Sequence, residues 1–163
     1  MTGVQTCALP IYSAEISAFR RLHPREILFH AYVQWLMQEQ LEQVAEGARE
    51  SGMPIGLYLD LALGSERAGS DAWCHPDQFA VEAEAGAPPD AFTAGGQNWG
   101  LPPMIPHRLR ADGYRMFIRL VRRSMRHAGA LRIDHVMALF RLFWVPRGLP
   151  PSAGAYKIGR AHV

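Results

Sequence analysis

Lysine is almost missing from this sequence of 163 residues: of its 17 basic residues only Lys157 is a lysine. Cysteine is scarce too, with two residues, Cys7 and Cys74. No run of 18 or more apolar residues occurs, which excludes a membrane-spanning helix within the sequence. Residues 1–11 have no charged segment leading an apolar stretch, so they do not read as an export signal.

The lone lysine sits in a segment that does not read as protein. Back-translated, Ile158-Gly159-Arg160-Ala161-His162-Val163 and a stop can be written ATC GGA AGA GCA CAC GTC TGA. The reverse complement of that string, in another frame, encodes Gln5-Thr6-Cys7-Ala8-Leu9-Pro10-Ile11. Unrelated termini have no reason to form an inverted repeat at the codon level. Residues 1–11 and 157–163 are therefore expected to be translated sequencing adapter and are set aside from fold reasoning. Residues 12–156 are expected to be the native part. They hold 15 arginines, no lysine and 15 acidic residues, because Lys157 and Arg160 fall outside them. That balance is formally neutral and argues against nucleic acid or an anionic membrane as a partner. Cys74 alone makes no internal disulfide, which fits a reducing, cytoplasmic compartment.

Pro24 suits the first turn of a helix, and Ile27, Leu28, Val33, Leu36, Leu41, Val44 and Ala48 recur at mainly helical spacing up to Gly52 and Pro54. Ile55 to Leu59 reads as a short buried strand ending at Asp60. A Gly/Pro-rich stretch, roughly residues 62–112, follows; loops beyond about 12–15 residues are usually functional or disordered. Its aromatics Trp73, Phe79, Phe92 and Trp99 speak against disorder. A second helix is expected from about Gly113 to Ala128, with Tyr114, Phe117, Ile118, Val121 and Met125 as its apolar stripe. Leu131 to Val136 reads as a strand, and an apolar run from Met137 to Val145 leads to Pro146. Strand, helix, strand implies a βαβ unit with parallel strands.

Arg132 and Asp134 lie two apart on the second strand and so share a face. A guanidinium beside a carboxylate favours its ionised form, which is the form a carboxylate nucleophile needs. A structural ion pair at a strand end is the commoner reading of such residues. Asp60 ends the first strand, so in a parallel barrel it would project from the same rim as Asp134; alone it suits a turn or cap. Trp99, among Gly95-Gly96-Gln97-Asn98-Trp99-Gly100, would as an exposed indole offer a face to a sugar ring, or else pack the loop down. Cys74-His75 has no second ligand pair at zinc-site spacing, so neither metal nor cofactor is expected. The arginines at 115, 119, 122, 123 and 126 read as the solvated face of the second helix.

Several strings together resemble the amylomaltases, or 4-α-glucanotransferases: Ile55 to Ala62, Ala85-Gly86-Ala87-Pro88-Pro89-Asp90-Ala91-Phe92, Gln97-Asn98-Trp99-Gly100, Gly129 to Met137, and Leu139 to Pro146. Phe29 to Leu36 resembles the helix that precedes them. The resemblance covers nearly all of residues 12–156 and stops at Tyr156. Ala138 departs from it, standing where the family more often has glycine. It implies an α/β fold: part of a (β/α)₈ barrel of the α-amylase type, with a long rim loop and retaining chemistry at the C-terminal rim. By motif match Asp134 would be the nucleophile and Arg132 its companion. Asp60 and His135 would touch the sugar, and Trp99 would line the groove for α-1,4-glucans and maltooligosaccharides. Retaining chemistry needs a second carboxyl group about 5–5.5 Å from the nucleophile. No residue of 12–156 matches the family's acid/base glutamate or its stabilising aspartate. The sequence therefore reads as a piece of a transferase. A hydrolase of the same barrel type and a non-catalytic glucan-binding protein are the other readings.

Overall fold

The computed structural model describes residues 10–158. Residues 1–9 and 159–163, which hold most of the two segments read as adapter, lie outside the described residues. The chain divides into two compact units. One takes the chain up to Leu59 with Met125–Ala130; the other takes Asp60–Ser124 with the chain from Leu131 on.

The first unit is mostly helix. Ser13 caps α1 (Ala14–Leu22), its hydroxyl accepting from the Ile16 N–H at 3.3 Å. Arg20 and Arg21 stand in the last turn, where cations suit the helix dipole. Pro24 opens α2 (Pro24–Glu50), as its spacing predicts. Gly52, at φ 77°, turns the chain out of it. Only Ala45 of α2 is buried, whereas Leu28, Phe29 and Trp35 are exposed. Farther along, Gly129 lies so close to the Ile55 carbonyl that any Cβ there would collide with it. That approach lets the N–H groups of Gly129 and Ala130 reach the Leu57 carbonyl, at 2.9 and 3.3 Å.

Strands β1 (Tyr58–Leu61) and β4 (Ala130–Ile133) pair as a two-stranded sheet. Gly129 donates to Leu57 and Asp134 donates to Leu61, so both chains advance together and the strands are parallel. The parallel relation expected of a strand–helix–strand unit is thus present. The first strand begins later than its sequence suggests, because Gly56, at φ 69°, interrupts the extended run. The later strand stops at Ile133, since His135 turns left-handed at φ 48°.

In the second unit the stretch expected to be a long rim loop carries real structure. Short helices α3 (Ser70–Cys74) and α4 (Pro106–Ala111) and strands β2 (Ala83–Ala87) and β3 (Gln97–Asn98) lie within it. With β5 (Arg141–Pro146) and β6 (Ala155–Ile158) these strands form a four-stranded antiparallel sheet in the order β3-β2-β5-β6. The register places Ala85 opposite Trp144, Gly86 opposite Asn98, and Phe143 opposite Tyr156. The apolar run from Met137 to Val145 divides: Val136–Leu139 is a 3₁₀ turn, and β5 alternates, burying Phe143 and Val145. β6 includes Lys157 and Ile158, two residues of the segment read as adapter, and all four of its residues are exposed.

Beside the sheet, Ala72, Phe79 and Met116 form a small core with Met104, Leu109 and Leu120 packed on it. Met116 and Leu120 belong to α5 (Arg115–Met125), whose inward face matches the predicted stripe only in part: Phe117 and Val121 are half-buried. Tyr114, Ile118 and Met125 are exposed. Apolar residues cover well over half the circumference of this helix, so spacing alone fits two faces, and packing selects between them. Among the described residues the fold is mixed helix and sheet, with no closed barrel. Two strands are parallel where a partial barrel predicts a parallel sheet; the other four are antiparallel, with β3 following β2 and β6 following β5 closely in the chain, whereas β2 and β5 are separated by α4, α5 and β4.

Candidate active site

Asp60 is the third residue of β1, and Arg132 holds the same place in β4; Asp134 follows β4 directly. Parallel strands set these side chains at matching levels. Arg132 joins both carboxylates: Nη1 meets Asp60 Oδ2 at 2.7 Å and Nη2 meets Asp134 Oδ1 at 2.9 Å. One planar guanidinium therefore fixes two acidic groups at once, which an ammonium could not do in the same geometry. All three side chains are about half exposed, between 46% and 56%. At that exposure each pair stabilises the fold by about 0.2–1 kcal/mol.

His135 takes left-handed backbone angles, φ 48° and ψ 52°, and its carbonyl accepts from the Ala138 N–H at 2.9 Å. Histidine is among the residues that tolerate this region. The turn aims its ring at Trp99, 5.1 Å between centroids and edge to face at 71°. Trp99 itself is half-buried, between the exposed and the packed-down ring that its sequence left open. Its backbone N–H donates to the Ala85 carbonyl at 2.9 Å, and its indole N–H donates to Gln97 Oε1 at 2.9 Å. With that N–H engaged, the ring offers its faces more than its donor to a ligand. The five residues singled out by sequence thus form one connected set: two carboxylates on one arginine, then His135, then Trp99.

A cavity of about 670 Å³ borders this set. Asp60, Asp134 and His135 stand on its wall, but most of the lining is apolar, including Leu61, Met104, Phe117 and Leu120. Polar partners for sugar hydroxyls are few there: Asp60, Asp134 and His135, with Ser65, Asp71, Tyr114, Ser124 and Lys157 elsewhere on the wall. Among the described residues no group of three or more His, Cys, Asp and Glu is placed to hold a metal, and Cys74 is a free thiol. No helix among them is long and apolar enough to cross a membrane.

Sequence reasoning missed the ion pair of Arg67 with Glu84, at 3.0 Å with both side chains largely buried. Glu84 also accepts from Asn98 Nδ2 at 2.6 Å, just before Trp99. The Gln97-to-Gly100 block was visible, but nothing in sequence spacing joins it to residues 67 and 84.

Comparison with known proteins bears on the chain as a whole. The sequence model of a family described as 4-alpha-glucanotransferase matches residues 8–162. A 4-alpha-glucanotransferase of Haemophilus influenzae is 45% identical over 144 residues, covering 88% of this chain and 21% of that protein. One from Mycobacterium tuberculosis is 44% identical over 141 residues, or 86% of this chain and 20% of that protein. The crystal structure of amylomaltase from Corynebacterium glutamicum superposes with a TM-score of 0.78 at 42% identity, covering 80% of this chain and 19% of that one. Amylomaltase from Streptococcus agalactiae, solved in complex with acarbose, gives a TM-score of 0.85 over 94% of this chain and 32% of that one, at 20% identity, and speaks for the fold alone. The chain spans about a fifth of the length of the curated relatives it matches, and it belongs to the 4-alpha-glucanotransferase family.

Proposed function

We propose that the whole protein transfers α-1,4-glucan segments to the 4-hydroxyl of another sugar through a covalent glycosyl-enzyme. The observation that carries this reading is the single guanidinium of Arg132 holding Asp60 and Asp134 together beside His135 and Trp99. Asp134 is the nucleophile: its carboxylate oxygen bonds to the anomeric carbon as the bond to the leaving 4-oxygen breaks. The leaving oxygen takes a proton from an acid outside this chain; the same group later accepts the proton of the incoming 4-hydroxyl, whose oxygen bonds to the anomeric carbon as the bond to Asp134 breaks. Arg132 orients the nucleophile. Asp60 and His135 hold sugar hydroxyls near the cleaved bond, and Trp99 gives a ring face to the glucan.

Within the same proposal, residues 12–156 are part of a (β/α)₈ barrel of the α-amylase type, and residues 1–11 and 157–163 are adapter-derived. The substrates are maltooligosaccharides and storage α-glucans such as starch or glycogen, and the compartment is the cytoplasm. The segment boundaries rest on the codon-level inverted repeat and on Lys157 as the only lysine. Amplification from source DNA across the two joints is expected to return other codons outside residues 12–156.

The function is tested with protein expressed from the intact gene and supplied with maltotriose. Longer and shorter maltooligosaccharides should appear with no net gain of reducing ends. A reducing end gained for every bond cut would make the protein a hydrolase, and no products at all would leave it a binding protein.

A further inference from the structure

Glu84 engages both of its carboxylate oxygens. Oε1 meets Arg67 Nη2 at 3.0 Å, and Oε2 accepts from Asn98 Nδ2 at 2.6 Å. Asn98 turns its Oδ1 to the N–H of Gly100 at 2.9 Å, bracketing Trp99 between its two neighbours. Gly100 is left-handed, at φ 71°, so the chain bulges there: Trp99 and Leu101 both pair with Ala85 on either side of it. Arg67 in turn donates to the carbonyls of Val81 and Ala83, at the entry to β2. The side chains of Arg67 and Glu84 are 20% and 16% exposed, so water screens this pair less than the half-exposed pairs of Arg132.

We propose that Arg67 and Glu84 are positioning residues that, through Asn98, set the Trp99 ring against His135 and so fix the platform on which a sugar of the α-glucan rests. The proposal rests on the transferase reading above. Main-chain pairing to Ala85 fixes where Trp99 sits; the Arg67–Glu84–Asn98 chain fixes the bulge at Gly100 that follows, and with it the pose of the indole. No atom of Arg67 or Glu84 need touch the substrate for this role.

The test uses the full-length enzyme and maltotriose. Glu84→Ala is expected to raise KM by about tenfold, as for loss of one charge-assisted hydrogen bond, with kcat within about threefold of wild type. Asn98→Ala should match it, and the double variant should be no worse than either single. Glu84→Gln keeps one acceptor for Asn98 but turns an NH2 to Arg67, so it should recover only part of the affinity. In a Trp99→Ala background Glu84→Ala should add nothing. A purely structural Glu84 would instead lower the melting temperature and remain additive with Trp99→Ala. An unchanged KM in Glu84→Ala, or additivity with Trp99→Ala, overturns the proposal. Should Glu84→Ala not fold, Asn98→Ala carries the same comparison. Failure of the transferase reading shows differently, as a wild-type enzyme that makes no longer oligosaccharides.

Discussion

Replacing Arg132 with methionine in the intact enzyme separates a catalytic arrangement from a decorative ion pair. The change removes contacts of 2.7 and 2.9 Å to Asp60 and Asp134 and leaves two carboxylates without their shared cation. Because all three side chains are about half exposed, the lost stability is small, roughly 0.4–2 kcal/mol for both pairs together. A protein that starts with about 5 kcal/mol of stability would still be under about 1% unfolded. Loss of nucleophile orientation costs far more rate than that, on the order of 100-fold. Unfolding therefore cannot imitate the kinetic effect. Arg132→Lys should recover only part of it, since an ammonium is a point charge and cannot grip both carboxylates with a planar fork. The assay is kcat/KM for maltotriose disproportionation, with thermal melting of each variant alongside. If Arg132→Met stays within threefold of wild type, the arginine is only a strand-end ion pair and the orientation argument fails.

Asp134→Asn should abolish the glycosyl-enzyme adduct seen by mass spectrometry while maltooligosaccharides still bind; an adduct accumulating at wild-type rate would remove Asp134 from the chemistry. Gly86→Ala should destabilise the intact enzyme by about 1–3 kcal/mol, because the added Cβ meets the Gln97 carbonyl and comes within 3.2 Å of Val145. Gly95→Ala, with open space around it, serves as the control, and equal melting temperatures for the two would refute the packing argument. The Asp112 carboxyl lies below the ordinary aspartate value of 3.8, chiefly because the Arg115 guanidinium donates to it, at 2.8 Å from Nε. A depressed carboxyl stabilises the fold above that value and ceases to as the pH falls through the lower one. Asp112→Asn should thus cost stability at pH 7 and progressively less toward pH 3; an Asp112 carboxyl that titrates above 3.8 by NMR would reverse the sign.

The sequence was most readable where local chemistry is strong. α2 begins at Pro24 and stops before Gly52 because proline and glycine act on the backbone wherever the helix later packs. Asp60, Arg132 and Asp134 were legible because strand periodicity places them on one face and at one end. The antiparallel sheet was not. β2 reads Ala83-Glu84-Ala85-Gly86-Ala87, among the weakest strand formers, and it exists because Phe143 and Val145 of β5 need a flat, small-residue partner. Gly86 in particular leaves room for the Gln97 backbone, a long-range requirement that no local pattern signals. Trp99 was readable as a residue of interest, with exposed and packed poses both open, since the choice depends on contacts made through Ala85 and His135.

The order β3-β2-β5-β6 also sets a schedule for the growing polypeptide. Ala85 must wait for Trp144, 59 positions later, before the inner pair of the sheet can close. At about 5–20 residues per second, a ribosome takes roughly 3–12 s to supply that partner. Throughout that interval β2 has, among the described strands, only the two-residue β3 to pair with, while β1 likewise waits for β4. A nascent chain arrested between residues 90 and 140 would therefore present unpaired strand edges to the cell, and it is there that a chaperone would have most to hold.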